Sequence, residues 1–257
     1  MRLFYSALYY CLLPLLVLRM LWRSRYARAY RKRLPERFGI FPPRSQREAP
    51  AIWVHAVSVG EVLAAAPLIE ALLVNYPATP VVVTTTTPTG SERVREIFGE
   101  RVLHVYAPWD LPGAVQRFLR RMQPRLLLIM ETELWPNMLH YCQASGCRAM
   151  LVNARMSARS ARGYRRVGGI TQQMMAQFDQ VACQSAADGE RFLGLGLAPG
   201  SLVVTGNVKF DLALDDSLRK RAEQLREIFA AGTRPVLVAA STHPGEEALL
   251  LSSFREI

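Results

Sequence analysis

Short apolar runs alternate along the chain with stretches of helical period, the pattern of a parallel α/β sheet. The run at 53–57 (WVHAV) ends at Ser58, Val59 and Gly60, and Glu61 opens an apolar helical stretch to about Tyr76. Further strands are expected at 81–87, 102–106, 125–130, 148–153, 180–184 and 202–205. Helices are expected at 92–98, 111–122, from Pro136 onward, at 170–178 and at 186–193, with a basic stretch at 154–166 opening toward the ligand side. Regular alternation of this kind predicts a doubly wound parallel sheet. From Asp211 the composition changes. A charged helix at 218–229 ends at Gly232-Thr233, a fresh strand is expected at 235–240, and the turn at 241–245 leads into another helix. One βα unit cannot bury its own faces, so a second α/β domain is expected to start near Pro235 and the chain reads as a fragment of a longer protein.

Charge divides the chain. Of the formal net charge of +11, residues 1–48 supply +9, with eleven Arg and Lys against Glu36 and Glu48. The basic balance therefore belongs to the N-terminus and is no field over the whole globule, which argues against a nucleic-acid partner. Residues 3–18 are apolar apart from Ser6, with Arg2 before them and Arg19, Arg23, Arg25 and Arg28 after. As a helix this run spans about 24 Å, short of a hydrocarbon core of about 30 Å, and Met20, Leu21 and Trp22 bring it close. No small-x-small cleavage site follows it, which disfavours a signal peptide. Spanning and in-plane helices both fit, with the basic side and everything after it in the cytoplasm. The arginines suit an anionic lipid surface, and the plainer alternative is a solvated basic linker. Pro35, Pro42, Pro43 and Pro50 read as a stiff connection. The cysteines at 11, 142, 147 and 183 lack a second ligand pair, so they read as reduced thiols with no zinc site.

The first strand is not followed by GxGxxG, and the sequence contains no GxxxxGK[ST], which disfavours dinucleotide and P-loop chemistry. His55 and His104 fall inside strands and read as core residues. Ser58-Val59-Gly60-Glu61 is an S-x-x-E capping box. The same glutamate, at a helix start beyond a strand end, also stands where ligands gather in such sheets. Three other strand ends carry polar groups: Glu131 and Glu133, Asn153 and Arg155, Asn207 and Lys209. Acids and cations converging there suit a site that abstracts a proton and holds negative charge. The alternative is that Glu131 forms a structural ion pair with Lys209 or an arginine.

The strings HAVSVGE, TTTTPTG, PWDLP, RFLRRMQP, METELWPN, NARMSARS, CQSAADGERF, TGNVKFD and VAASTHPGEE together resemble the bacterial 3-deoxy-D-manno-octulosonic acid (Kdo) transferases of lipid A biosynthesis, over essentially the whole chain. The resemblance implies a GT-B fold of two Rossmann-like domains with the active site between them. It implies CMP-Kdo as donor, the tetraacyl disaccharide bisphosphate precursor of lipid A as acceptor, and inverting transfer with neither metal nor cofactor. It places the enzyme on the cytoplasmic side of the bacterial inner membrane. Glu61 of SxGE falls at the family's base, and Glu131 and Lys209 at its transition-state stabilisers. Substrate contacts are expected from Ser58 and Gly60, from Ser241, Thr242 and His243, and from Arg155, Arg159 and Arg162, where arginine can hold the acceptor phosphates bidentately. The family's main CMP-binding motifs lie past Ile257, so the fragment alone is expected to be inactive. The domains implied are a membrane anchor and basic linker (1–48), an acceptor-binding Rossmann-like domain (49–210), an interdomain helix and linker (211–234), and the start of a nucleotide-sugar-binding domain (235–257). The competing readings are another GT-B glycosyltransferase acting on a lipid-linked sugar, and a non-catalytic membrane-associated Rossmann-like module.

Overall fold

Strands that are apolar on successive residues need cover on both faces. The computed structural model describes residues 1–25, 28–43, 49–208, 216–229, 232–233 and 235–255. Its strands are β1 (Ala51–His55), β2 (Val81–Thr85), β3 (Leu103–Tyr106), β4 (Pro124–Met130), β5 (Arg148–Ala154), β6 (Gln180–Cys183) and β7 (Leu202–Val204). They form one sheet of order β3-β2-β1-β4-β5-β6-β7, every pairing parallel. Successive side chains point to opposite faces. Trp53, Leu127 and Ile129 accordingly join one core, and Ile52, Val54, Leu128 and Met130 the other. The second core is closed by α2 (Val59–Asn75) and α3 (Pro88–Phe98) through Val62, Ile69, Val94 and Phe98. The first is closed by α4 (Pro112–Met122), α5 (Pro136–Ala144), α6 (Ala158–Arg166), α7 (Gly168–Met175) and α8 (Ala186–Leu193). Trp53 packs 4.3 Å from Phe118 and its indole N–H donates to Thr84 Oγ1 at 2.8 Å.

Four of these helices start where the sequence supplies a capping hydroxyl. Ser58, Thr87, Ser157 and Ser185 each accept from the backbone N–H three residues on, satisfying a donor that the helix itself leaves open. The first strand ends two residues earlier than its apolar run, because the Val57 N–H donates to the Glu61 carboxylate.

The N-terminal run forms α1 (Arg2–Arg23), long and apolar enough by length and composition to cross a membrane. One side of it is nevertheless docked on the sheet domain. Arg2 Nη1 and Ser6 Oγ donate to Asn137 Oδ1 at 3.0 and 3.1 Å, and the Tyr5 hydroxyl bonds Asp110. Asp110 is fully buried and accepts the N–H groups of Asn137 and Met138 at 3.0 and 2.7 Å. It thus caps α5 while gripping α1. Burial pushes its pKa up to about 6 against those hydrogen bonds. The other side of α1 exposes Leu3, Phe4, Leu15, Leu18 and Trp22.

The connection expected to be a stiff spacer is instead fastened to the domain. Arg33 pairs with Glu36 at 2.6 Å, and Glu36 accepts the Tyr106 N–H at 2.8 Å. Arg117 and Arg121 of α4 donate to the carbonyls of Phe38 and Phe41. Gly39, at φ +70°, lies so close to α4 that a Cβ there would stand 2.3 Å from the Ala114 carbonyl oxygen.

The chain divides into two compact units, Met1–Asp211 and Leu212–Ile257. The second holds α9 (Asp216–Ile228) and α10 (Glu246–Arg255). The strand expected at 235–240 is absent. The second unit has no other strand among its described residues, and an unpaired strand has no ladder to stabilise it.

Replacing Asp110 by alanine removes the acceptor for two buried N–H groups and the tyrosine hydroxyl of α1. The expected loss is about 1–3 kcal/mol in urea unfolding, together with faster proteolysis within α1. Unchanged stability and unchanged cleavage would mean that α1 is held by its apolar contacts alone.

Candidate functional site

The strand order reverses at the β1–β4 pair, so the segments after these strands leave toward opposite faces and a crevice opens between them. Glu61 enters from the β1 side, in the first turn of α2. Ser58 Oγ accepts the Glu61 N–H at 3.3 Å, and the Ser58 hydroxyl donates to Glu61 Oε1 at 3.0 Å. Glu61 Oε2 accepts the Val57 N–H at 2.9 Å. The capping reading is therefore realised, with the carboxylate reaching one residue further back than the N-cap. The side chain is also 8% exposed, and its pKa is raised to about 7. Burial is the largest cause, and the negative charges of Glu133 and then Glu131 add to it, outweighing the hydrogen bonds from Val57 and Ser58. Gly60 leaves open space beside this turn, since an added Cβ would meet nothing nearer than Ser58 Oγ at 3.9 Å.

From the β4 side come Glu131 and Glu133. Glu131 holds a left-handed backbone at φ +57°, a conformation that a residue with a Cβ adopts at a cost of about 1–3 kcal/mol. Its N–H bonds the Val152 carbonyl at 3.0 Å, and its carboxylate pairs with Arg155 Nε at 3.1 Å. The ion pair weighed for Glu131 thus exists, with an arginine as partner. Lys209 lies outside the described residues. Glu133 accepts the indole N–H of Trp135 at 2.7 Å, and the Trp135 ring stands edge-on to His55 at 5.6 Å. His55 is fully buried, donates to or accepts from Thr84 Oγ1 at 2.9 Å, and is held neutral by burial, its pKa near 3. It belongs to the core, as expected. His104 is likewise tied to Arg33 and Thr85.

At the end of β5, Asn153 also takes a positive φ, +53°, where the β5–β6 register slips. Irregularities of this kind re-aim the residues that follow. Asn153 Oδ1 accepts the Val208 N–H at 3.1 Å. Arg155 and Met156 then turn into α6, and Asp188 with Arg191 of α8 hold that turn through the Met156 N–H and carbonyl.

The result is a cavity of about 580 Å³ whose charged lining is Glu61, Glu131, Glu133 and Asp188 with Arg155 and Arg191. The structure brings Glu61, Glu131 and Arg155 together as the strand-end argument expected. Ser58 holds Glu61 from behind. Arg159 and Arg162 sit on exposed positions of α6 and are not among the lining residues. Ser241, Thr242 and His243 belong to the second unit, where Ser241 has φ +60°. There the Thr242 hydroxyl donates to Glu247 at 2.6 Å, and the His243 N–H to Glu246 at 2.9 Å. Sequence reading left out Glu133 as a tuning group, and it left out Ser157, Ser160, Gln184, Asp188 and Arg191 as lining residues. The S-x-x-D spacing of Ser185 and Asp188, directly after β6, was the available signal for the last group.

Such a site can do two things. A carboxylate with a pKa near 7 is about half ionised at neutral pH and can take a proton from a hydroxyl. Guanidinium groups beside it can hold an anion. The described residues contain no group of three His, Cys, Asp or Glu placed to hold a metal. Cys142 and Cys147 are buried free thiols.

The carboxyl stretch of Glu61, followed by infrared difference spectroscopy against Glu61→Gln, is expected to titrate with a midpoint near 7. Glu133→Gln removes a negative neighbour and should move that midpoint down. A midpoint that stays put would remove Glu133 from the causes and leave the shift to burial and Glu131.

Comparison with known proteins agrees with the resemblance that these strings carry. Residues 32–212 match the family model described as 3-deoxy-D-manno-octulosonic-acid transferase (kdotransferase). The chain is 41% identical over 256 residues to a 3-deoxy-D-manno-octulosonic acid transferase of Haemophilus influenzae, covering 100% of this chain and 60% of that protein. It is 39% identical to one of Bordetella pertussis, covering 94% and 56% respectively. The chain therefore spans somewhat under two thirds of the length of these curated relatives. Among solved structures it resembles a UDP-GlcNAc 2-epimerase from Neisseria meningitidis bound to UDP-GlcNAc, with TM-score 0.50 and 14% identity over 71% of this chain and 54% of that one. That likeness concerns the fold alone. With a family match over most of the sheet domain and close relatives along its whole length, the chain belongs to the 3-deoxy-D-manno-octulosonic-acid transferase family.

Proposed function

We propose that the protein is an inverting glycosyltransferase that moves Kdo from CMP-Kdo to the tetraacyl disaccharide bisphosphate precursor of lipid A, without metal or cofactor. The observation that carries this reading is the Glu61 carboxylate, buried at the switch point, fixed by Ser58 and Val57, and raised to a pKa near 7. In the proposed reaction Glu61 takes the proton from the acceptor hydroxyl as that oxygen attacks the anomeric carbon of Kdo. The bond from that carbon to the CMP phosphate oxygen breaks, and CMP leaves with the electron pair from the opposite face. Positive charge developing on the sugar is stabilised by Glu131, which Arg155 holds in place. Lys209 is assigned to the negative charge gathering on the leaving phosphate. Ser58 and Gly60 shape the acceptor side, Arg159 and Arg162 reach the acceptor phosphates, and Ser241, Thr242 and His243 serve the donor side. Residues 49–210 are read as the acceptor-binding domain and 235–257 as the start of the donor-binding one. The apolar outer side of α1 and its flanking arginines suit the cytoplasmic face of the bacterial inner membrane, with anionic lipid as the surface partner. Nucleic acid is not a proposed partner.

In the protein at the full length of its relatives, Glu61→Gln should lower kcat by about a hundredfold or more, the range for a lost general base, with little change in Tm. The wild-type kcat/KM should rise with pH through about 7 and then level off, because the base must be ionised to act. Turnover that survives Glu61→Gln while stability falls would leave this residue a helix cap only. Mass spectrometry of the lipid product formed from CMP-Kdo and the acceptor tests the substrate assignment directly.

For the acceptor phosphates, Arg159→Gln with Arg162→Gln should raise KM for the bisphosphorylated acceptor several-fold and leave kcat nearly unchanged, as loss of uniform binding does. A dephosphorylated analogue should be almost unaffected. Equal effects on both acceptors would remove phosphate recognition from these two arginines.

A further inference from the structure

Beyond the Glu61 crevice, a smaller cavity of about 130 Å³ lies where α1 meets the ends of β2 and β3. Its polar lining includes Arg19 and Arg23 of α1, Arg37, Tyr30, Thr86 and Trp109, and no carboxylate among the described residues lines it. Arg37 is the unusual member, an arginine only 5% exposed. Its Nη2 donates to the Thr86 carbonyl at 2.8 Å, and its carbon stands 4.5 Å from the Tyr106 ring centre. Its Nε has no hydrogen-bond partner among the described residues. Buried donors are ordinarily paired, and buried charge more so. The nearby carboxylate, Glu36, is already engaged by Arg33 and by the Tyr106 N–H. Arg23 lies over the Tyr30 ring at 5.7 Å, and Arg19 and Arg23 are both exposed.

Three guanidiniums, one of them buried, around a cavity that no carboxylate among the described residues lines call for an anion with several acceptor oxygens. The arginine fork matches carboxylate and phosphate alike, and phosphate offers more oxygens to share among three guanidiniums. The surroundings indicate what carries it, since Leu15, Leu18 and Trp22 of the same helix are exposed at 61%, 61% and 57%. We propose that Arg19, Arg23 and Arg37 form a subsite for the phosphate of a lipid headgroup, occupied while the apolar side of α1 lies in the bilayer. The subsite is connected to the crevice. Arg37 bonds the Thr86 carbonyl, the Thr86 N–H and hydroxyl both bond the Val57 carbonyl, and the Val57 N–H bonds Glu61. The proposal rests on the membrane reading proposed for α1 and is independent of the transfer reaction.

The probe is dihexanoyl phosphatidic acid, kept below its micelle concentration and titrated calorimetrically into the chain at constant ionic strength. Arg19→Gln with Arg23→Gln should weaken binding by about tenfold or more, as expected for lost charge-assisted hydrogen bonds. Arg25→Gln with Arg31→Gln removes the same net charge outside the cavity and should change binding by less than about twofold. Arg37→Lys keeps the charge but loses the fork, and should weaken binding about as much as the first pair. Inorganic phosphate should bind at least about tenfold more weakly than the lipid, since it gains nothing from the apolar side of α1. Equal losses in the two double variants would reduce the effect to general electrostatics and overturn the proposal. So would inorganic phosphate binding as tightly as the lipid, which would make this a site for free anions. If Arg37→Lys fails to fold, the comparison of the two double variants still decides.

Discussion

Both faces of this sheet have to be covered, and everything at its carboxyl edge follows from that constraint. The chain leaves β1 for one face and β4 for the other, so their following segments diverge. The gap is lined by whatever residues the sequence places at the two strand ends. Glutamates stand at both, and the walls that bury them are the same helices that close the two cores. The raised pKa of Glu61 is thus a by-product of packing before it is anything chemical, because burial is its largest cause.

Capping and chemistry are commonly treated as rival explanations for a glutamate in an S-x-x-E string, yet here the capping side chain also has the burial and near-neutral pKa that the proposed chemistry requires. The hydrogen bonds from Ser58 and Val57 that fix the carboxylate also stabilise its charged form. Taken alone they would hold it acidic, and burial with Glu133 and Glu131 reverses the sign. A base that is immobile and still near neutral pKa needs both sets of groups. The left-handed backbone at Glu131 is the local strain that lets a second carboxylate follow directly from β4.

The alternation of apolar runs gave all seven strands of the sheet within a few residues, because parallel strands buried on both faces announce themselves by composition. The strand ends named Glu61, Glu131 and Arg155 before any geometry was known. What stayed hidden was long-range and polar. Asp110 follows Trp109 in a turn and shows no sign in sequence that it caps α5 and grips α1, since its partners lie far along the chain. Glu133 looked equivalent to Glu131, and only the fold shows one paired to Arg155 and the other to Trp135. The strand expected at 235–240 failed for the converse reason, that an apolar run becomes a strand only where a neighbour is present to pair with it.

The grip of Asp110 and Asn137 on α1 has a consequence for biosynthesis. The helix leaves the ribosome well before either of these partners is made. At about 5–20 residues per second, roughly 6–25 s pass before Asn137 has been added. During that interval α1 lacks the grip that Asp110 and Asn137 supply. On the membrane reading proposed for α1, a bilayer would cover its apolar side during this interval, and the sheet domain would assemble against a helix already in place.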